Sequence, residues 1–167
     1  AEPGRVPAAR ARRVPDDELE RMRLALGWVS DVPPENASQR IALMMLVAVE
    51  TAMRSGELCS LTWDQVHAKY VRLDQTKNGD ARDVPLSRRA AALLALLPRN
   101  GESVFGVSDA LRDALWRKAR KRAEIVGLTF HDLRHEATTR LARKLDVLDL
   151  SRMTGHRDLK SLRRYYN

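Results

Sequence analysis

A chain of 167 residues has room for one domain and little more, and its 30 Lys+Arg against 22 Asp+Glu give a formal charge of +8. The hydrophobic share of 44% excludes a disordered chain, and a lone cysteine, Cys59, excludes an intrachain disulfide or a Cys-x-x-Cys metal pair. The longest apolar run, Ile41 to Val49, falls far short of the roughly 20 residues that a bilayer requires. No signal-peptide pattern opens the chain, and the lone cysteine leads to the expectation of a reducing, cytoplasmic setting. A pI near 10.2 favours a nucleic-acid partner without naming any chemistry.

Residues 1–13, rich in Arg, Pro and Ala, read as a basic linker or tail, and 14–167 as the folded unit. The start at Ala1 suggests a piece of a longer protein. Pro15 followed by Asp16, Asp17 and Glu18 is a helix start, with Leu19, Met22, Leu26 and Val29 forming one apolar face. After Pro33-Pro34, Ser38 is placed to cap a second helix whose middle, Ile41–Val49, is apolar all round and so belongs to the core. Ser55 is placed to cap a short helix through Leu61.

The period then changes. Residues 63–67, 70–75 and 82–86 alternate and favour β residues, with Asn78-Gly79 marking a hairpin between the last two. Helical patterning resumes over 87–97, 108–124, 132–144, 147–153 and 159–166. The expected fold class is α+β, mainly helical, with a small three-stranded antiparallel sheet. One segment concentrates charge: Arg112, Arg117, Lys118, Arg120, Lys121 and Arg122 stand against Asp113. It reads equally as a solvated helix face or as a surface for a DNA backbone.

Five stretches carry polar residues that neither packing nor solubility requires. They are Thr51–Leu58 around Arg54 and Glu57, Thr76–Gly79 with Lys77 at the hairpin tip, His131-Asp132-Leu133-Arg134-His135, Thr154-Gly155-His156, and Arg163-Arg164-Tyr165-Tyr166. Singly each has a dull explanation; Arg54 reads as a helix-end cation, and Lys77 as a solvated turn lysine. Together, in this order, they resemble the tyrosine recombinase (phage integrase) family, and the Arg-Arg-Tyr-Tyr-Asn ending is most similar to shufflon-type members.

The resemblance extends from about Val14 to the chain's last residues and implies a tyrosine recombinase catalytic-domain fold. It makes Arg54 and Arg134 the catalytic arginines, Lys77 the hairpin lysine, His131 the His of the His-x-x-Arg box, and His156 the residue after Gly155. Tyr165, nine residues beyond His156, becomes the nucleophile, with Tyr166 its rival. It implies a site-specific strand transferase acting on double-stranded DNA through a 3′-phosphotyrosyl link, without metal, ATP or other cofactor. The expected partners are further recombinase protomers, tetrameric on DNA, with the N-terminal core-binding domain absent from this chain.

The residue types suit that chemistry. Tyrosine attack on a phosphodiester builds charge on the non-bridging oxygens, and arginine forks hold such oxygens bidentately. A phenol with a pKa near 10 needs a proton acceptor, for which His131 is the candidate; Lys77 would protonate the departing 5′ oxygen and His156 would hydrogen-bond the phosphate. Glu57 reads as an orienting partner for a cation, and His135 as a supporting residue bonded to backbone or to Glu57. Three rivals remain. The first is a metal-dependent hydrolase using His131, Asp132, His135 and His156, though no His-Glu-x-x-His motif is present. The others are a non-catalytic basic DNA-binding module and a type IB topoisomerase.

Overall fold

Helix α1 (Asp16–Ala25) begins where its first-turn acids Asp16, Asp17 and Glu18 meet the positive end of the helix dipole. In the computed structural model, which describes residues 12–29, 31–74 and 81–166, Leu19, Met22 and Leu26 turn inward as expected. Val29 does not: Gly27 takes a φ of 86°, the chain leaves the helix there, and Val29 is exposed. Arg12 and Arg13, read as part of the tail, are tied down. Arg12 pairs with Glu18 at 2.7 Å and Arg13 with the buried Glu136 at 2.8 Å.

Helix α2 (Ala37–Thr51) is the central rod, and all of Ile41–Val49 except Leu46 is buried. Its cap is Asn36, whose side chain accepts from the Gln39 N–H at 2.9 Å. Ser38, the expected cap, lies inside the helix and donates to the Leu26 carbonyl. The short α3 (Ser55–Cys59) follows after a sharp reversal.

The sheet has two strands among the described residues, not three. β1 (Tyr70–Leu73) and β2 (Arg82–Pro85) pair antiparallel, with Leu73 opposite Arg82 and Val71 opposite Val84. The expected first strand is instead a 3₁₀ turn over Trp63–Gln65, flanked by single bridges at Thr62 and Val66. Gln65 explains the difference, because its side chain accepts the Thr62 N–H at 2.9 Å and closes a turn. Asn78-Gly79 and Lys77 lie outside the described residues.

Ser87 and Ser108 cap α4 (Arg88–Ala95) and α5 (Asp109–Arg122), each accepting a backbone N–H. α5 sends Trp116 inward, where its ring meets Phe130 edge-on at 5.1 Å. α6 (Asp132–Leu141) opens with a reciprocal pair: Asp132 accepts the Thr129 N–H at 2.8 Å, and Thr129 Oγ1 accepts the Asp132 N–H at 3.2 Å. The pattern expected the helix to reach Lys144, but it ends at Leu141. α7 (Val147–Thr154) and a 3₁₀ segment (Leu159–Tyr165) complete the chain. α2 packs against α6, and α7 packs against β2, so the α2 terminus, the head of α6, the end of α7 and the hairpin meet in one region.

Candidate active site

The reversal after α2 builds the first wall. Ala52 caps the helix in the left-handed region (φ 59°), a conformation that costs a non-glycine residue about 1–2 kcal/mol. The turn frees its carbonyl, which accepts from Arg134 Nη1, while Arg134 Nη2 donates to the Thr154 carbonyl at 2.9 Å. One buried guanidinium thereby ties α6 to both the Arg54 segment and the end of α7.

Two residues beyond Ala52, Arg54 sits at the head of α3 with its N–H on Glu57 Oε1 at 2.8 Å. Glu57, also buried, spends its carboxylate on a fork with Arg82, at 2.7 and 2.8 Å. Arg82 Nε donates to the Met153 carbonyl at 2.9 Å. Arg54 Nη1 lies 3.5 Å from Glu57 Oε2, yet it is buried without a hydrogen-bond partner. Three guanidiniums, Arg54, Arg82 and Arg134, thus face one carboxylate, leaving two positive charges in a poorly hydrated pocket.

The titrations report the same imbalance. Burial, and after it the charge of Arg54, lowers the Arg134 pKa to about 9, which leaves it protonated at neutral pH. Burial, and next Arg134 and Arg54, lowers His156 to about 4. Burial pushes Glu57 upward, but the Arg82 hydrogen bonds, the Arg54 N–H and both cations outweigh it and hold the carboxyl below its ordinary value. Such a pocket is short of an anion.

The remaining groups surround this pocket. Gly155 holds a φ of 77°, and the chain turns so that His156 Nδ1 comes within 2.6 Å of Thr154 Oγ1. His131, Arg134 and His135 fall three and four residues apart on α6 and share a face. His131 is accessible; partial burial and then Arg134 lower its pKa. His135 is not bonded to Glu57. Its Nδ1 lies 2.9 Å from the Tyr165 hydroxyl, which also accepts from Arg164 Nη2 at 2.9 Å. Tyr166 points its hydroxyl elsewhere, donating to the Leu145 carbonyl at 2.7 Å.

Of the expected residues, Arg54, Glu57, Arg134 and His156 come together, and Tyr165 sits over His135 on the same α6 face. Lys77 lies outside the described residues. His131, Asp132, His135 and His156 do not gather as a metal-ligand set; no group of three His, Cys, Asp or Glu does so among the described residues. Arg112 is not available to a DNA backbone. It is buried, bridges Asp109 and Asp113 at 2.9 Å each, and lies over the Phe130 ring. Arg122 donates to the Ala25 carbonyl at 3.0 Å, while Arg117, Lys118 and Lys121 are exposed and Arg120 half-buried.

Sequence reasoning missed Arg82 and Arg164. A signal for Arg82 existed, since in a strand that alternates it shares the inward parity of Val84. It also missed why Gly155 must be glycine. A Cβ there would lie 2.9 Å from Arg82 Nη1, 3.0 Å from its Cζ and 3.1 Å from its Nε. That guanidinium is held at three nitrogens and has no room to retreat. Gly155→Ala should therefore destabilise the fold by at least the roughly 1–3 kcal/mol of backbone strain, read as a lowered melting temperature. A variant that melts with the parent would mean that Arg82 yields freely.

The description "Phage integrase family" attaches to a match over residues 17–167. A shufflon-specific DNA recombinase of Escherichia coli is 42% identical over 124 residues, covering 71% of this chain and 32% of that protein. Tyrosine recombinase XerA of Saccharolobus solfataricus is 29% identical over 128 residues, covering 74% of this chain and 44% of that protein. A crystal structure of XerA recombinase superposes with a TM-score of 0.70 at 21% identity, over 99% of this chain and 62% of that one. A lambda integrase dimer bound to a COC′ core site gives 0.72 at 21% identity, over 93% and 47%. The chain spans 32% to 53% of the length of the curated relatives it matches. With its motifs in family order and a family match over almost its whole length, the chain belongs to the phage integrase family.

Proposed function

We propose that this chain is the catalytic domain of a site-specific DNA recombinase, which cuts and rejoins duplex DNA through a 3′-phosphotyrosyl bond to Tyr165. The observation that carries this reading is the buried, unpartnered Arg54 Nη1 beside Arg134, in a pocket with two positive charges unmatched. A guanidinium with a buried N–H free of hydrogen bonds is stabilised by an entering phosphodiester, and more so as charge grows on the phosphoryl oxygens in the transition state. Arg54 and Arg134 take the non-bridging oxygens. Glu57, itself locked by Arg82, holds Arg54 in position. Burial, and after it the surrounding arginines, keeps His156 neutral; phosphate charge offsets the arginine field and allows the ring to share a proton with the phosphate.

Tyr165 rather than Tyr166 serves as nucleophile, because Tyr166 gives its proton to a backbone carbonyl and is further hindered by a raised pKa. Burial raises it first, then Asp146 and Asp149. Lys77 would protonate the leaving 5′ oxygen. Attack conserves the phosphoester bond energy, so a 5′-hydroxyl reseals the strand without ATP, and no step is assigned to a metal. Arg117, Lys118, Arg120, Lys121 and Arg122 are offered to neighbouring phosphates. The partners are double-stranded DNA and further copies of the recombinase, as a tetramer on DNA, in the cytoplasm on the nucleoid.

The test is incubation with a nicked suicide duplex, from which the freed 5′ fragment diffuses away, in the presence of chelator. A covalent protein–DNA adduct should accumulate, and peptide mapping should place it on Tyr165. An adduct on Tyr166 would overturn the nucleophile. Retained DNA binding with no adduct would leave the non-catalytic binding module.

A further inference from the structure

We propose that His135, through Nδ1, is the proton acceptor for the Tyr165 hydroxyl, and that Arg164 holds the phenolate so formed. This rests on the reading of Tyr165 as nucleophile and gives the proton a different destination from His131.

Arginine has only donors, so the Arg164 Nη2 contact of 2.9 Å must be donation into a lone pair of the Tyr165 oxygen. With that lone pair taken, the hydroxyl proton is free to point at the oxygen's other neighbour, His135 Nδ1, also at 2.9 Å. In the tautomer that accepts this proton, Nδ1 is the unprotonated nitrogen and Nε2 carries the hydrogen. Arg164 Nη2 also lies 3.4 Å from Nδ1. One cation thus sits at the junction where the phenolate charge develops, and its carbon stands 5.0 Å from the Tyr165 ring centre.

A proton acceptor must be neutral in the working range, and the surroundings of His135 make it so. Burial lowers its pKa first and then Arg164. Glu136 and Asp132 on its own helix raise it, and Arg13 from the preceding segment lowers it, with a net fall below 6.5. Arg134 is a further beneficiary, since an ionised Tyr165 favours its charge. Among the described residues the hydroxyl's partners are His135 and Arg164, not His131.

The Tyr165 oxygen forms a bond to phosphorus as its proton passes to His135 Nδ1. The bond from phosphorus to the 5′ oxygen breaks, and that oxygen takes a proton from a separate acid, Lys77 in the reading above. On rejoining, His135 returns its proton to the departing phenolate.

The test is single-turnover cleavage of the nicked duplex from pH 5 to 9, with an ordinary and a 5′-bridging phosphorothiolate scissile linkage. For the parent, the rate should rise with pH along an acid limb as His135 loses its proton. His135→Gln should be slower by roughly 10²–10⁴-fold, should lose that limb, and should gain nothing from the sulfur leaving group. Arg164 is exposed, so Arg164→Gln folds independently of what happens at His135. By removing the cation that holds the imidazole pKa down, it should move the acid limb to higher pH. A limb unmoved in Arg164→Gln, or unchanged in His135→Gln, overturns the proposal, as does rescue of His135→Gln by sulfur. Tyr165→Phe separates the two levels of inference. If it still forms adduct, the nucleophile falls and this proposal with it. If it is inert while the His135 variant behaves as the parent, only the proton acceptor is wrong.

Discussion

Arg134→Lys should yield a folded protein that binds duplex DNA about as tightly as the parent, yet cleaves it slower by roughly 10²–10³-fold, equivalent to about 2.7–4 kcal/mol of barrier. Arg134 has two tasks, and lysine performs neither fully. Its nitrogens reach the Ala52 and Thr154 carbonyls in different segments, which a single ammonium cannot span at once. One of those buried carbonyls would be left unpaired, at about 1–3 kcal/mol. Lysine keeps the charge, so ground-state attraction for the DNA backbone, which is spread over many phosphates, changes little. The charge that develops on the phosphoryl oxygens is local, and its fork is gone. The result should therefore appear in the cleavage rate on the suicide duplex rather than in the binding isotherm. A rate within about threefold of the parent would show that Arg134 is a structural tie only.

Much of this site is readable in sequence because its parts are local. Arg54 and Glu57 fall within one capping turn, and His131, Arg134 and His135 within five residues of one helix, so spacing alone groups them. Arg82 meets Glu57 across 25 residues, and only the register of the hairpin, with Arg82 opposite Leu73, turns it inward. Its parity with Val84 places Arg82 on the inward face, but nothing local names Glu57 as its partner. The basic run on α5 misled for a related reason. Arg112 falls in its first turn beside Asp109 and Asp113, where helical geometry satisfies its charge internally, whereas Arg117, Lys118 and Lys121 point outward. The 3₁₀ turn at Trp63–Gln65 escaped because β-favouring residues alternate there, while the Gln65 side chain decides the conformation. The partners of Tyr165 depend on how the last 3₁₀ segment docks on α6, which no local pattern encodes.

Glu57→Gln should be the most damaging single change to the fold, lowering stability by about 3–5 kcal/mol, as expected when one partner of a buried ion pair is removed. Against a total of about 5–15 kcal/mol for a domain, and at about 2–4 °C per kcal/mol for this size class, the melting temperature should fall by roughly 10 °C. The cause is that Arg54, Arg82 and Arg134 would then face one another with no anion among them. Two further measurements identify that cause. Sulfate or a short duplex should raise the melting temperature more in Glu57→Gln than in the parent, because an anion that binds only the folded state supplies what the carboxylate did. The difference between variant and parent should also shrink in acid. The folded Glu57 pKa lies below its ordinary 4.5, so its contribution is present above that value and is lost as pH falls through the folded pKa. Glu136, held at about 2, retains its contribution further into acid and does not blur the comparison. Replacing Glu57 and Arg82 together by methionine should recover much of the stability, since an apolar pair of similar volume removes both desolvation penalties. Cleavage should stay low in that double variant, because Arg54 would have lost the carboxylate that orients it. Recovery of both stability and cleavage would mean that Glu57 only balances charge and that Arg54 finds the phosphate unaided.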